Sequence, residues 1–142
     1  TPAEFILWSL PLFSENGCMS QRRNTPQRKT IEALLEQSTS PILPKDLHLQ
    51  AQQTLPNLGI ATVFRALKDL VAEGGVRVVE IPGDSPRYES IERSHHHHFK
   101  CNKCEVVFCI EGCPGNLETM LNPGFELSNH DITLFGTCAG CS

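Results

Sequence analysis

The stretch Ser94–Cys104, SHHHHFKCNKC, runs four consecutive histidines into a C-x-x-C knuckle. A second C-x-x-C, Cys138 to Cys141, follows after an intervening stretch of 33 residues. Two thiolate pairs suit one tetrahedral Zn²⁺, and soft sulfur ligands favour zinc over hard cations. The intervening stretch is longer than in a compact zinc ribbon, so a small sheet unit is needed to bring the knuckles together. Two disulfides are the plain alternative, but tight C-x-x-C pairs make better metal clips than cystines. A purification tag is the plain alternative for the histidines, yet the run is internal and abuts a knuckle.

Strand geometry sorts the histidines. If residues 94–100 are extended, side chains alternate between faces, so His96 and His98 point one way and His95 and His97 the other. Each pair needs further ligands. Glu89 and Cys109 are candidates for the first pair. His130, with Glu111 or Cys113, is the candidate set for the second. Cys101, Cys104, Cys138 and Cys141 form a closed, structural set, whereas the mixed sets suit exchangeable metal and hence sensing.

Composition bounds the rest. The 142 residues are 39% hydrophobic and 20% charged, enough for one ordinary domain or two small ones. No apolar run approaches the ~20 residues that span a bilayer. Seven cysteines without a recognisable secretory signal suggest a reducing, cytoplasmic setting. The net charge of −4 is unevenly spread. Residues 20–77 hold eight Lys/Arg against five Asp/Glu, while residues 78–142 hold four against nine. The basic half suits phosphates and the acidic half suits cations.

Residues 1–19 read as an apolar arm (Phe5, Ile6, Leu7, Trp8) or as an extension ahead of a start at Met19. Thr25 and Pro26 give a helix N-cap and first turn, with Ile31, Leu34 and Leu35 as the apolar stripe and Arg22, Arg23, Arg28 and Lys29 at its start. A second helix is expected over 45–54, with Leu47 and Ala51 inward and His48 in a packing role. A third runs over 60–71, with Val63, Leu67 and Leu70 buried and Gly74-Gly75 ending it. Val76–Ile81 and Arg87–Ser90 flank a Pro-Gly turn and read as a hairpin. Three helices and a hairpin describe a winged helix, whose third helix enters the major groove, with Thr62 and Arg65 as readers. A generic helical domain would carry the same stripes. Further strands are expected over 101–110, 125–128 and 131–135, with a short helix over 116–121.

The fold class expected is therefore α+β. It comprises a winged helix-turn-helix unit over 20–90 and a small unit over 91–142 stabilised by a Cys₄ zinc site and, as a dimer, by a shared sheet. Catalysis is not expected: G-x-S-x-G, phosphate-loop and H-E-x-x-H patterns are all missing. Cys109 or Cys113 as a redox nucleophile is the residual enzymatic alternative.

The segments TPQR (25–28), GIATVFRALKDL (59–70), RYE (87–89), HHHHFKCNKC (95–104) and HDITLFGTCAGC (130–141) together resemble the ferric-uptake-regulator superfamily of metal-dependent repressors. The resemblance implies a homodimer that binds a palindromic double-stranded operator when metal-loaded and represses metal-uptake genes. It places Arg28, Thr62, Phe64 and Arg65 at DNA, with Phe64 where a tyrosine is usual. Cys101, Cys104, Cys138 and Cys141 fall at the structural zinc. Glu89, His96 and His98 fall at the sensor site, with Cys109 where a glutamate is usual, and His95, His97 and His130 at a further site. Pro41 stands where iron-type members often carry a histidine, and Ile91 stands near a position where zinc-type members often carry a cysteine. On ligand chemistry, Cys109 and Cys113 beside imidazoles favour Zn²⁺ over Fe²⁺ or Mn²⁺. The rival readings are a zinc-storage protein and a thiol-based peroxide sensor.

Overall fold

The computed structural model describes residues 25–142; the expectations for residues 1–19, Arg22 and Arg23 lie outside them. Three helices come first: α1 (Pro26–Gln37), α2 (Pro44–Gln52) and α3 (Ile60–Ala72). Thr25 caps α1, its Oγ1 accepting the Arg28 N–H at 3.2 Å, and Pro26 takes the first turn, where its missing N–H costs nothing. Gly74 ends α3 in the left-handed region at φ 78°. Its N–H reaches Val71 O (3.0 Å) and that of Gly75 reaches Leu70 O (3.1 Å), a Schellman pair that satisfies two last-turn carbonyls. Ile31 and Leu35 of α1, Leu47 and Ala51 of α2, and Val63, Leu67 and Leu70 of α3 bury one face each into a common core with Val76. Leu34, expected in the stripe, packs at its margin.

Strands β1 (Val76–Val79) and β2 (Arg87–Ser90) pair antiparallel, setting Arg77 opposite Glu89 and Val79 opposite Arg87. A bridge from Ile42 to Tyr88 ties this wing to the start of α2. The architecture is the expected winged helix.

The second sheet has the order β4-β3-β5, from β3 (His96–Cys101), β4 (Val107–Glu111) and β5 (Thr133–Gly136). β3 pairs antiparallel with β4 and parallel with β5. Three expectations change here. The strand expected over 101–110 begins only at Val107. Cys101 ends β3, and the knuckle turns back with Glu105 N–H on Cys101 O (3.0 Å) and Glu105 at φ 61°. Residues 125–128 form no strand. They leave a turn closed by Phe125 N–H on Asn122 O (3.1 Å) and have no ladder partner among the described residues. The short helix expected over 116–121 is a 3₁₀ turn, Leu117–Met120.

The wing lies against this second sheet. Val79 and Ile81 pack with Val107 of β4. Asp84 in the wing turn accepts from Arg87 Nε (2.9 Å) and faces Lys100 of β3 at 3.6 Å. One face of the sheet, carrying His96, His98, Lys100, Val107 and Cys109, thus meets the wing. The other carries His97, Phe99, Phe108 and Leu134, since side chains alternate along each strand.

Candidate metal centres

Three sets of donor atoms converge, each with its members within 4.8 Å of one another: Glu89, His96, His98 and Cys109; His95, His97, Cys113 and His130; and Cys101, Cys104, Cys138 and Cys141.

The first set sits where the wing meets the sheet. β2 supplies Glu89, β3 supplies His96 and His98, and the register His98↔Cys109 brings in Cys109 from β4. Glu89 is 1%, His96 5% and His98 2% exposed. Glu89 Oε2 lies 3.1 Å from His96 Nε2 and 3.4 Å from His98 Nε2, and the two Nε2 atoms are 3.1 Å apart. Four donors held about 2.0 Å from one ion in a tetrahedron would be about 3.3 Å apart, so this spacing matches a shared cation. The His96 tautomer is set by the backbone. His96 Nδ1 donates to the Ser94 carbonyl at 2.8 Å, which leaves a lone pair on Nε2 of the neutral ring. That lone pair faces His98 Nε2, whose proton can be donated to it or to Glu89 Oε2; a cation bound among the three would take the place of that proton. His98 Nδ1 is buried without a partner.

Burial opposes ionisation of Glu89. Contacts with His98 and Arg77 outweigh it and hold the carboxyl at about 2. Burial pushes the Cys109 thiol up, against the opposing pull of Arg93. Arg93 Nη1 donates to Cys109 Sγ (3.0 Å) and to Thr39 O (2.7 Å), so one side chain joins the sheet to the helical unit.

In the second set, His130 Nε2 is 3.0 Å from His95 Nε2 and 3.1 Å from Cys113 Sγ. Cys113, not Glu111, completes the cluster. Glu111 pairs with His96 in the ladder, which puts it on the wing-side face, opposite to His95 and His97. His97 Nδ1 accepts the Ile132 N–H at 3.3 Å, so the neutral ring carries its proton on Nε2, which is buried and unpartnered. Ligation through that nitrogen requires the proton to leave, and His95 and Cys113 are exposed where the donors of the first set are buried or half-buried. Burial and the neighbouring His95 and His130 depress the His97 pKa.

In the third set, Cys104 and Cys138 sulfurs are 3.8 Å apart, the edge of a tetrahedron with Zn–S near 2.3 Å being about 3.8 Å. The N–H groups of Cys104 and Cys138 pull the Cys101 thiol down to about 6. Its sulfur neighbours push Cys141 up to about 12, so the set suits a cation that displaces the remaining protons.

The residues expected at DNA divide. Thr62, Phe64 and Arg65 lie in the first turns of α3, away from its buried face; Phe64 is 51% exposed, and Arg65 Nη2 donates to Thr62 Oγ1 at 3.3 Å. Arg28 lies elsewhere. Its guanidinium engages Glu73, just past the far end of α3. His48 packs, its Nε2 on the Leu58 carbonyl at 2.7 Å. Sequence reasoning missed Arg77 and Arg93. Arg77 stands opposite Glu89 in the ladder, a signal readable only once the hairpin register is known.

Comparison with known proteins agrees with this geometry. Residues 19–135 match the ferric uptake regulator family. The chain is 29% identical over 123 residues to the ferric uptake regulation protein of Campylobacter jejuni, covering 83% of this chain and 78% of that one. It is 30% identical over 122 residues to a zinc uptake regulation protein of Mycobacterium tuberculosis, covering 84% and 94%. The solved ferric uptake regulator of Helicobacter pylori, described as having three functional metal-binding sites, superposes with a TM-score of 0.72 at 26% identity, over 84% of this chain and 81% of that one. No helix of the described residues is long and apolar enough to cross a membrane. The chain belongs to the ferric uptake regulator family and is a metal-responsive transcriptional regulator, not an enzyme.

Proposed function

We propose that this regulator senses zinc through Glu89, His96, His98 and Cys109, and binds a double-stranded operator as a homodimer in the cytoplasm. The observation that carries the reading is the convergence of four buried or half-buried donors across the junction of wing and sheet. Mn²⁺ prefers oxygen-richer sets, and two imidazoles with one carboxylate suit Fe²⁺ as well as Zn²⁺; the soft Cys109 sulfur is what favours Zn²⁺. Glu89, His96, His98 and Cys109 would hold the cation, which would supply a cross-link between the wing and the sheet.

The protein's own residues do the rest. Glu89 belongs to the helical unit and the other three donors to the sheet, so the set is complete only while the two units stay together. α3 then has a fixed placement relative to the sheet that pairs with the second subunit. Phe108, Phe99 and Leu134 lie side by side across β4, β3 and β5 on the face turned from the wing. Phe108 and Leu134 are exposed at 41% and 51%, an apolar row suited to a second copy. Two α3 helices fixed about that face can meet successive major grooves. Thr62, Phe64 and Arg65 are the proposed readers, Phe64 through apolar contact of the kind a thymine methyl offers. Arg28 reaches phosphate only by giving up Glu73. The Cys₄ set is the proposed structural zinc site, and His95, His97, Cys113 and His130 a weaker second regulatory site.

Metal preference is tested on chelator-treated protein with the Cys₄ site zinc-filled, titrated anaerobically with Zn²⁺, Fe²⁺ or Mn²⁺ in separate runs while operator binding is followed. Zinc is expected to restore binding at the lowest free concentration. Restoration by Fe²⁺ or Mn²⁺ at lower free concentration would overturn the zinc assignment.

A further inference from the structure

Arg77 is a cation built against a site suited to another cation. Its guanidinium places two nitrogens on one carboxylate oxygen: Nε lies 2.6 Å and Nη2 2.5 Å from Glu89 Oε1. The other oxygen, Oε2, is the one that faces His96 and His98. The Glu89 side chain is 2% exposed and that of Arg77 41%, so the arginine covers the carboxylate from the solvent side. Arg77 Nη2 is 3.5 Å from Nδ1 and 3.3 Å from Nε2 of His96. Near-equal distances put it beside the ring rather than along the Nε2 lone pair. Arg77 therefore occupies Oε1 while leaving Oε2 and the His96 Nε2 lone pair directed into the set.

We propose that Arg77 is a positioning residue that sets metal specificity, by holding Glu89 to a single donor oxygen. This inference rests on the reading that Glu89, His96, His98 and Cys109 hold the regulatory ion. With Oε1 occupied, the set offers one oxygen, two imidazole nitrogens and one sulfur. Four donors of this mixture suit tetrahedral zinc. A carboxylate free to turn would add a second oxygen and open the five- and six-donor arrangements that oxygen-preferring Mn²⁺ takes. Removal of a partner that orients a ligand typically costs about 10–100-fold in metal affinity. If Arg77 were instead only a competing charge, its removal would strengthen binding of every divalent ion alike.

The test uses the full chain with the Cys₄ set filled by zinc and His95→Ala/His130→Ala removing the second set. Co²⁺ serves as optical probe, and Zn²⁺ and Mn²⁺ affinities are measured by competition. Arg77→Leu and Arg77→Lys are compared with the parent, each checked for a cooperative thermal transition. The parent is expected to give the intense visible bands of four-coordinate Co²⁺. Arg77→Leu should give the weaker bands of higher coordination and a zinc-to-manganese affinity ratio at least about 10-fold lower. Arg77→Lys, which restores charge without the two-nitrogen grip, should fall between. A parent-like spectrum and ratio in Arg77→Leu, or an equal gain for both ions, overturns the role of Arg77. If the parent's Co²⁺ bands survive His96→Ala/His98→Ala, the site reading itself fails and this inference with it.

Discussion

Glu89→Gln separates the metal from the fold, because the amide keeps the shape of the carboxylate and loses its charge. In the metal-free protein the amide oxygen can still accept from Arg77, and the amide NH₂ can donate to His96 Nε2, which now faces Glu89 Oε2 at 3.1 Å. The lost ion pair involves an arginine that is 41% exposed, so its loss costs about 1 kcal/mol. The new hydrogen bond returns about the same. The metal-free melting temperature should therefore stay within about 4 °C of the parent. With metal the two diverge. At a free zinc concentration 100 times the dissociation constant, binding to the folded state adds about 2.7 kcal/mol. For a chain of this length that is about 6–10 °C. With the second set removed by His95→Ala/His130→Ala in both proteins, the parent should show that rise over the zinc-filled Cys₄ state and Glu89→Gln a much smaller one, measured by thermal unfolding with and without added zinc. An equal zinc-dependent rise in both proteins would show that Glu89 holds no metal, and the reasoning would fail.

Other consequences can be checked separately. Arg65→Ala should weaken operator binding, relax its sequence preference and lower the salt dependence by about one ion, read by titration at several salt concentrations. Arg28→Ala should cost at most about 1 kcal/mol through the lost Glu73 pair and leave operator affinity within a few-fold, by unfolding and DNA titration. Leu67→Ala should cost about 2–5 kcal/mol in denaturant unfolding, since Leu67 is 1% exposed at the meeting of the three helices. For Asp84, burial raises the carboxyl, but Arg87, the Ser85 N–H and Lys100 outweigh it and hold it below its ordinary 3.8. A depressed carboxyl stabilises the fold above its unfolded value and loses that contribution as pH falls below it. Acid unfolding of Asp84→Asn should therefore depend less steeply on pH below about 4 than that of the parent.

Much of this was legible in the sequence because it depended on local rules. The Thr25-Pro26 start, the Gly74-Gly75 stop and the spacing of Val63, Leu67 and Leu70 follow from helix geometry alone. The division of the histidines into two faces follows from strand alternation, and β3 makes it so. What depended on register was not legible. Glu111 and Cys113 looked equivalent as partners of His95 and His97 until the pairing of β4 placed Glu111 opposite His96. Arg77 became a neighbour of Glu89 only through the wing ladder. Residues 125–128 alternate like a strand, but alternation does not supply an edge to pair with. Arg28 looked like a phosphate contact because its partner, Glu73, is 45 residues away in sequence.

The most direct test of the account is a DNA titration at fixed salt, on an operator selected from random-sequence DNA by the zinc-loaded protein. Parent and His96→Ala/His98→Ala protein, both with the Cys₄ site filled, are compared with and without further zinc. Zinc should tighten binding of the parent at least about 10-fold, a coupling of about 1.4 kcal/mol, and have a much smaller effect on the variant, which keeps only the weaker second set. Equal affinity of the parent with and without that zinc, or an equal response in the variant, would contradict the account.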